Sequence, residues 1–168
     1  MANFDPAFHQ VVMIEEGGDR YTCTPNDAGG ATKWGITIPA AQDFWGKNNV
    51  QGPLFIRKLT LGDAQAFYKR LWEKNCLDKV LDQTAATKIF SACVNMGHNG
   101  AKCAQRAAGV EDDGMIGPST VDAVNAKDGF VAAMASEMVR YYDALINKNP
   151  SQARFRGGWM ARANWGTV

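Results

Sequence analysis

Apolar residues recur at helical spacing along most of the chain, and each such stretch predicts a helix. The first begins at Asp5-Pro6, a pair typical of a helix start, and ends at Gly17-Gly18, because paired glycines break helices. Glu16 is therefore predicted to lie in the last turn of the first helix. Further helices are predicted over about residues 38–45, 60–73, 84–96, 101–108, 118–124 and 129–147.

Between the first two helices the pattern changes. Residues 19–36 contain several turn-forming residues, so we expect turns and short strands there, with residues 33–36 as one strand. Residues 47–59 are predicted to be a loop. The chain should therefore adopt a mainly α fold of the α+β class, with many helices and one small β region near the N-terminus.

Composition and charge narrow the classes of function. The length of 168 residues suits one compact domain, and a formal net charge of +1 offers no strongly basic surface for nucleic acid or anionic lipid. No apolar run is long enough to cross a bilayer, and residues 1–18 lack the basic and apolar regions of a Sec signal peptide. We expect a monomer without stable membrane insertion and without nucleic acid as a partner.

The four cysteines, Cys23, Cys76, Cys93 and Cys103, include no CxxC pair. Without a signal peptide they are expected to be reduced thiols, mostly buried. The intervals from Cys93 to His98 and on to Cys103 fit no common zinc motif. We therefore expect no metal and no other cofactor.

Candidate chemistry is concentrated just after the first helix. Cleavage of a glycosidic bond needs a carboxylic acid that keeps its proton near neutral pH. Glu16 would lie at a helix C-terminus, where the helix dipole disfavours a carboxylate, but this effect is below about one pKa unit. Most of the required rise in its pKa must therefore come from burial and neighbouring groups.

The supporting roles fall to residues in the turn-rich region. Asp27 is the candidate for stabilising an oxocarbenium-like transition state or activating water, and Thr32 for orienting that water. Tyr21 and Trp34 are candidates for stacking on a pyranose ring. Each residue also has a structural interpretation, since a Glu at a helix end is usually solvated and an Asp before glycines usually forms a turn. Their order across a helix-to-hairpin junction is what favours catalysis.

That order resembles the N-terminal signature of glycoside hydrolase family 108, a muramidase family that includes phage endolysins and bacterial secretion-associated muramidases. The signature stands here as Glu16-Gly17-Gly18, then Asp27, Gly29, Gly30, Thr32, Gly35, Ile36 and Thr37. Further matches are the V-N-x-G motif at residues 94–97, the segment at residues 105–120, which is similar to the family's peptidoglycan-binding segment, and Gly158-Trp159 with Arg162.

The resemblance implies a lysozyme-like fold and hydrolysis of the β-1,4 bond between N-acetylmuramic acid and N-acetylglucosamine. It gives the catalytic role to Glu16, supported by Asp27 and Thr32. Two alternatives remain open: a lytic transglycosylase that leaves 1,6-anhydromuramic ends, and a non-catalytic wall-binding module. Asp27 and Thr32 favour hydrolysis.

The resemblance also adds substrate-binding candidates. Tyr68 and Trp72 correspond to an aromatic pair in a helix of the family, and Asn95 is the asparagine of its V-N-x-G motif. Ser91 stands where the family commonly has Asp, and this departure changes the local hydrogen bonding.

The expected organisation is a lysozyme-like catalytic part, residues 1–97, and a helical part resembling a peptidoglycan-binding segment, residues 98–168, packed into one compact domain. Bacterial peptidoglycan is the expected partner. We expect synthesis in the bacterial cytoplasm, export through a holin and action in the periplasm and cell wall, as for a phage endolysin that lyses its host. A bacterial secretion enzyme or a prophage-derived enzyme is the alternative.

Overall fold

The computed structural model describes residues 1–23 and 30–167, and helices account for most of this part of the chain. The α-helices are α1 Phe4–Phe8, α2 Ile38–Trp45, α3 Pro53–Lys58, α4 Leu61–Lys74, α5 Gln83–Met96, α6 His98–Ala108, α7 Pro118–Ala126, α8 Phe130–Lys148 and α9 Arg156–Asn164. A π-helix, His9–Glu15, continues α1, and 3₁₀-helices cover Leu77–Lys79 and Pro150–Phe155.

Within residues 1–23 and 30–167, three short strands form one antiparallel sheet, in the order β1 Thr22–Cys23, β2 Ala31–Lys33 and β3 Ile36–Thr37. The prediction of a mainly helical α+β fold with a small β region near the N-terminus is confirmed. None of the helices in the described residues is long and apolar enough to cross a membrane.

The chain divides into two compact units. One is Phe8–Leu71, and the other combines Met1–Ala7 with Trp72–Val168. The first, called the hairpin unit below, contains the π-helix, the sheet and α2 to most of α4. The second, called the helical unit, contains α5 to α9. The organisation predicted from the sequence, with a boundary near residue 97, stays a prediction.

The first helix differs from its prediction at both ends. The Asn3 side chain accepts the backbone N–H of Asp5 at 3.1 Å, so the capping oxygen comes from Asn3 rather than from Asp5. From His9 onward the backbone bonds take the wider π pattern, and the N–H of Glu16 donates to the carbonyl of Val11 at 3.0 Å. Glu16 therefore follows a π-helix instead of ending an α-helix.

The expected strand over residues 33–36 is wrong, because a turn interrupts it. Trp34 and Gly35 both have left-handed backbones, with φ of 57° and 73°. Lys33 pairs with Ile36 across this two-residue turn. Two consecutive left-handed residues are what a two-residue hairpin turn of type I′ requires. The segment is a hairpin between β2 and β3.

Local signals at α2 and α4 are confirmed. The Thr37 hydroxyl accepts the N–H of Ala40 and starts α2, and Gly46 ends it. Before α4, the Asp63 carboxylate accepts the N–H of Thr60 at 2.8 Å, and the Thr60 hydroxyl accepts the N–H of Asp63 at 3.2 Å. The side-chain and backbone hydrogen bonds from Thr60 lower the pKa of Asp63.

A helix, α3, occupies part of the expected loop over residues 47–59. It begins at Pro53, where the missing N–H costs no helical bond, directly after Gly52. Its Ile56 is fully buried. The helix is only six residues long, too short to show a clear periodic pattern in the sequence.

In the helical unit, α5, α6 and α8 pack against one another, and α9 packs on α8. Their shared core includes Phe90, Cys103, Met134 and Met138. Helix α9 forms where the sequence predicted none, since Gly157 and Gly158 weaken its helical propensity.

A buried lysine ties α5 to the end of α9. Lys88 is only 1% exposed, and its ammonium donates to the carbonyls of Ala163 at 2.7 Å and Trp165 at 2.6 Å. A cation at the C-terminal end of a helix satisfies carbonyls that have no partner within the helix. Tertiary contact of this kind compensates for the weak propensity of α9.

All four cysteines are free thiols. Cys23 is exposed and Cys76 half-buried, whereas Cys93 and Cys103 are buried. Burial raises the pKa of Cys93 to about 12 and that of Cys103 to about 11. The two buried thiols therefore stay protonated near neutral pH.

Candidate active site

Glu16 lies where the π-helix ends and the chain turns toward the sheet, and its side chain is half-buried. The two following glycines have left-handed backbones, with φ of 80° and 62°, and Gly18 donates its N–H to the carbonyl of Val12. This reversal explains why a pair of glycines follows the acid. Glu16 thus lies at the end of the first helical segment, as predicted, although that segment ends as a π-helix and not as an α-helix.

Gly35, in the β2–β3 turn, lies directly against the Glu16 side chain. A Cβ on Gly35 would be 3.1 Å from Cγ and 3.2 Å from Cβ of Glu16. It would also be 2.7 Å from the hydroxyl oxygen of Tyr68, closer than real Cβ contacts come. The acid and the turn fit together only because residue 35 has no side chain.

Tyr68, from α4, holds the same turn. Its hydroxyl donates to the carbonyl of Trp34 at 2.8 Å, and its ring packs edge-on against Phe8 and Phe67. Burial raises the pKa of Tyr68 far above its ordinary value, and the negative charge of Glu16 raises it further. The hydroxyl therefore keeps its proton, and Glu16 is near enough to affect its energy.

A second set of bonds ties the turn and the adjoining Lys33 to the last turn of α3 and to Leu59, which follows it. Lys33 donates from its ammonium to the carbonyls of Leu59 at 2.7 Å and Arg57 at 3.2 Å. The indole N–H of Trp34 donates to the same Leu59 carbonyl at 3.3 Å. Glu16 thus faces a turn whose backbone is held by both strands, α4 and the α3–α4 connection.

Thr32 occupies the middle strand of the sheet. It pairs with Thr22 of β1 and Thr37 of β3, so these three side chains share one face of the sheet. Thr32 is half-buried. The predicted supporting residue Asp27 lies outside the described residues.

Tyr21 is half-buried just before β1. The guanidinium of Arg57 lies over its ring, 5.8 Å from the ring centre. A hydrogen bond with the Cys23 thiol raises the pKa of the phenol. Arg57 was not among the sequence candidates, because it is separated from Tyr21 by more than thirty residues and belongs to no motif.

Three predicted sugar contacts need correction, because their rings lie in the core. Trp34 is 7% exposed, and Tyr68 and Trp72 are each 2% exposed. Trp72 belongs to the helical unit, where it packs edge-on against Phe4 and Phe90. A ring this deeply buried has no free face for a pyranose. We assign all three to packing, and Trp34 and Tyr68 also to holding the backbone through their hydrogen bonds.

Asn95, near the end of α5 in the helical unit, is exposed. Its amide donates to the carbonyl of Ser91 at 2.9 Å. Ser91 itself is buried. Asn95 as a sugar contact stays a prediction.

The segment resembling a peptidoglycan-binding element is organised by Gln105. This buried side chain donates to the Asp113 carboxylate at 2.7 Å and to the carbonyl of Met115 at 3.2 Å, and it accepts the N–H of Gly114 at 2.7 Å. The hydrogen bond from Gln105 is the main cause that lowers the pKa of Asp113, and the hydrogen bond from the N–H of Met115 is the second. A Cβ on Gly114 would overlap the imidazole of His98, so this turn requires glycine.

No cluster of three or more His, Cys, Asp or Glu side chains in residues 1–23 and 30–167 could hold a metal ion.

Comparison with models of protein families identifies the family to which the chain belongs. The family model described as Glycosyl hydrolase 108 matches residues 9–97, more than half of the chain, including Glu16 and the whole sheet. The chain belongs to glycosyl hydrolase family 108. A second model, described as Predicted Peptidoglycan domain, matches residues 99–164. As a member of this family with such a domain, the protein is a glycoside hydrolase acting on peptidoglycan.

One solved structure similar to this chain is that of SagA from Brucella abortus. The two share 20% sequence identity with a TM-score of 0.72, and the match covers 98% of this chain and 100% of SagA. The likeness confirms the lysozyme-like α+β fold. None of the curated protein sequences compared with the chain matches it.

Proposed function

We propose that the protein hydrolyses the β-1,4 bond between N-acetylmuramic acid and N-acetylglucosamine, with Glu16 as the general acid. The observation that carries this proposal is the contact between Glu16 and Gly35. It holds Cβ and Cγ of the Glu16 side chain against the turn, inside the part of the chain that matches the hydrolase family. A general acid must be held in this way, because proton transfer depends on its distance from the leaving oxygen.

In the proposed reaction, Glu16 gives its proton to the glycosidic oxygen as the bond to the anomeric carbon breaks. Positive charge develops on the sugar ring, and the Asp27 carboxylate either stabilises this charge or takes a proton from the attacking water. If Asp27 only stabilises the charge, the Glu16 carboxylate takes the proton of the attacking water and is protonated again for the next cycle. The oxygen of water ends on the anomeric carbon of the muramic acid. Thr32 orients the water through its hydroxyl group.

Tyr21 is the proposed aromatic contact, because its side chain is half-buried whereas Trp34, Tyr68 and Trp72 are buried. The guanidinium of Arg57 over its ring adds a cation at this position. Peptidoglycan combines sugar rings with carboxylate groups, so this pair suits it chemically. Tyr21→Ala should raise KM more than it lowers kcat if the ring only binds substrate.

Mass spectrometry of muropeptides released from purified cell walls tests the reaction. Hydrolysis in ¹⁸O-labelled water should leave reducing muramic ends that carry one heavy oxygen. Anhydromuramic ends without label would instead establish a transglycosylase. Binding to the walls with no release of fragments would establish a wall-binding module.

We further propose that the enzyme acts on the cell wall of a bacterial host during phage-induced lysis. Peptidoglycan lies outside the cytoplasmic membrane, so an enzyme made inside the cell must cross that membrane. Expression in bacteria should leave cells intact until the membrane is permeabilised by a holin or by chloroform, and lysis should follow at once. Lysis that never follows permeabilisation would contradict this role.

A further inference from the structure

The contacts of Gly35 bring the Tyr68 hydroxyl and the Glu16 side chain to the same place. Both lie close to the position that a Cβ of Gly35 would occupy: the Tyr68 hydroxyl oxygen is 2.7 Å from it and Cγ of Glu16 is 3.1 Å from it. These two atoms are therefore at most about 6 Å apart. The α4 residue is thus a neighbour of the proposed general acid as well as a part of the core.

The direction of the Tyr68 hydrogen bond decides what it offers to Glu16. Its single proton is donated to the carbonyl of Trp34. The oxygen can then present only lone pairs to any other group. Lone pairs repel a carboxylate but accept a hydrogen bond from a protonated carboxylic acid.

We propose that Tyr68 is a positioning residue that keeps Glu16 protonated, by committing its own proton to Trp34 and turning an acceptor-only oxygen toward the acid. This inference rests on the proposed function in taking Glu16 as the general acid. The raised pKa of Tyr68, partly due to Glu16, is consistent with repulsion between the two groups when both carry charge.

Other charged and titratable groups of the described residues also bear on Glu16. Glu15 and Asp19 are close along the chain, and their negative charge favours the protonated acid. Arg20 lies near Gly17 and favours the carboxylate, while the ammonium of Lys33 is directed at two backbone carbonyls. Because these groups also act on Glu16, the test must measure a difference caused by Tyr68 alone.

Tyr68→Phe removes the hydroxyl and keeps the ring. The Glu16 carboxyl carbon, labelled with ¹³C, is titrated by NMR in the wild type and in this variant. Loss of the acceptor should lower the pKa of Glu16 by about 0.5–1 unit, the size expected for one hydrogen bond. In the enzyme assay, the alkaline limb of the kcat/KM profile should move to lower pH by the same amount.

Tyr142→Phe is the matched control. It removes the hydroxyl of another buried tyrosine, in the helical unit, and should leave both the titration and the pH profile unchanged. If Tyr68→Phe does not fold, uniform replacement of tyrosine by 3-fluorotyrosine keeps the hydroxyl group but weakens it as an acceptor, because the ring fluorine withdraws electrons. The pKa of Glu16 should then fall by a smaller amount.

The outcomes separate this inference from the proposed function. An unchanged Glu16 titration in Tyr68→Phe, or in the fluorinated protein if that variant does not fold, overturns the role of Tyr68 whatever the activity. Full activity of Glu16→Gln overturns the proposed function, while a shifted titration would still support the effect of Tyr68 on the acid.

Discussion

The side chain of Glu16 lies against the backbone of Gly35, so the candidate general acid and the β2–β3 turn depend on each other. Gly35→Ala should disturb both. A left-handed backbone costs a residue with a side chain about 1–2 kcal/mol, and the overpacking against Tyr68 and Glu16 adds about 1–3 kcal/mol. We expect a loss of stability in urea unfolding together with a large loss of wall hydrolysis.

Gly129→Ala separates the two effects. Gly129 also has a left-handed backbone, with φ of 68°, but a Cβ there would meet nothing within 4 Å. This variant should lose only the backbone part and keep its activity. Equal losses of stability and of wall hydrolysis in the two variants would show that the contact with Glu16 is unimportant.

A second prediction concerns the buried ammonium of Lys88. Lys88→Met keeps most of the side-chain volume but leaves the carbonyls of Ala163 and Trp165 without this donor. Bonds to a charged donor contribute about 1.5–3 kcal/mol, so urea unfolding should show a loss in that range. The backbone amides of α9 should exchange faster than in the wild type, and this increase should be larger in α9 than in α5.

Lys148→Met is the control, because Lys148 is exposed at the end of α8. It should change the free energy of unfolding by less than about 0.5 kcal/mol. Unchanged exchange in α9 of the Lys88 variant would mean that other contacts hold this helix.

The predictions that succeeded from the sequence were those whose signal is local. Thr37 before Ala40, and Thr60 before Asp63, cap their helices through bonds to residues three positions away. The position of Glu16 at the end of a helical segment was equally predictable, because the two glycines that end this segment follow it directly.

The rest depends on contacts between distant residues. Nothing within a few positions of Gly35 indicates that Tyr68 and Glu16 will crowd it, and the burial of Trp34, Tyr68 and Trp72 is decided by the packing of whole helices. Helix α9 likewise owes its stability to Lys88, which lies in another helix. Aromatic residues in a sequence motif therefore indicate importance without distinguishing substrate contact from packing.

The turn around Asp113 should make stability depend on pH. Its hydrogen bonds lower the pKa below the ordinary value of 3.8, so they stabilise the folded protein fully above that pH. This contribution is lost as the pH falls through the lowered pKa. Urea unfolding of the wild type and of Asp113→Asn, between about pH 2.5 and 7, should show a difference that shrinks toward acid.

Asp122→Asn serves as the comparison, since Asp122 is exposed on α7. Its difference from the wild type should stay nearly constant over the same range. A constant difference for Asp113→Asn would show that the bonds from Gln105 and Met115 do not favour the carboxylate.

Thiol reactivity should follow burial. Cys23 is exposed and should react rapidly with a disulfide reagent at neutral pH in the native protein. Cys93 and Cys103, whose thiols are buried and protonated, should react only after unfolding. Rapid native labelling of Cys93, identified by mass spectrometry, would contradict the packing of α5 against α6.

The central claim is that Glu16, and not a neighbouring acid, supplies the proton for cleavage. Glu15 and Glu16 are adjacent and both half-buried, so Glu15→Gln is a matched control for Glu16→Gln. The measurement is the rate at which new reducing ends appear in purified peptidoglycan. We predict that Glu16→Gln lowers this rate by at least about a hundredfold while keeping the fold, and that Glu15→Gln stays within a few-fold of the wild type. Near-normal cleavage by a folded Glu16→Gln would contradict the account.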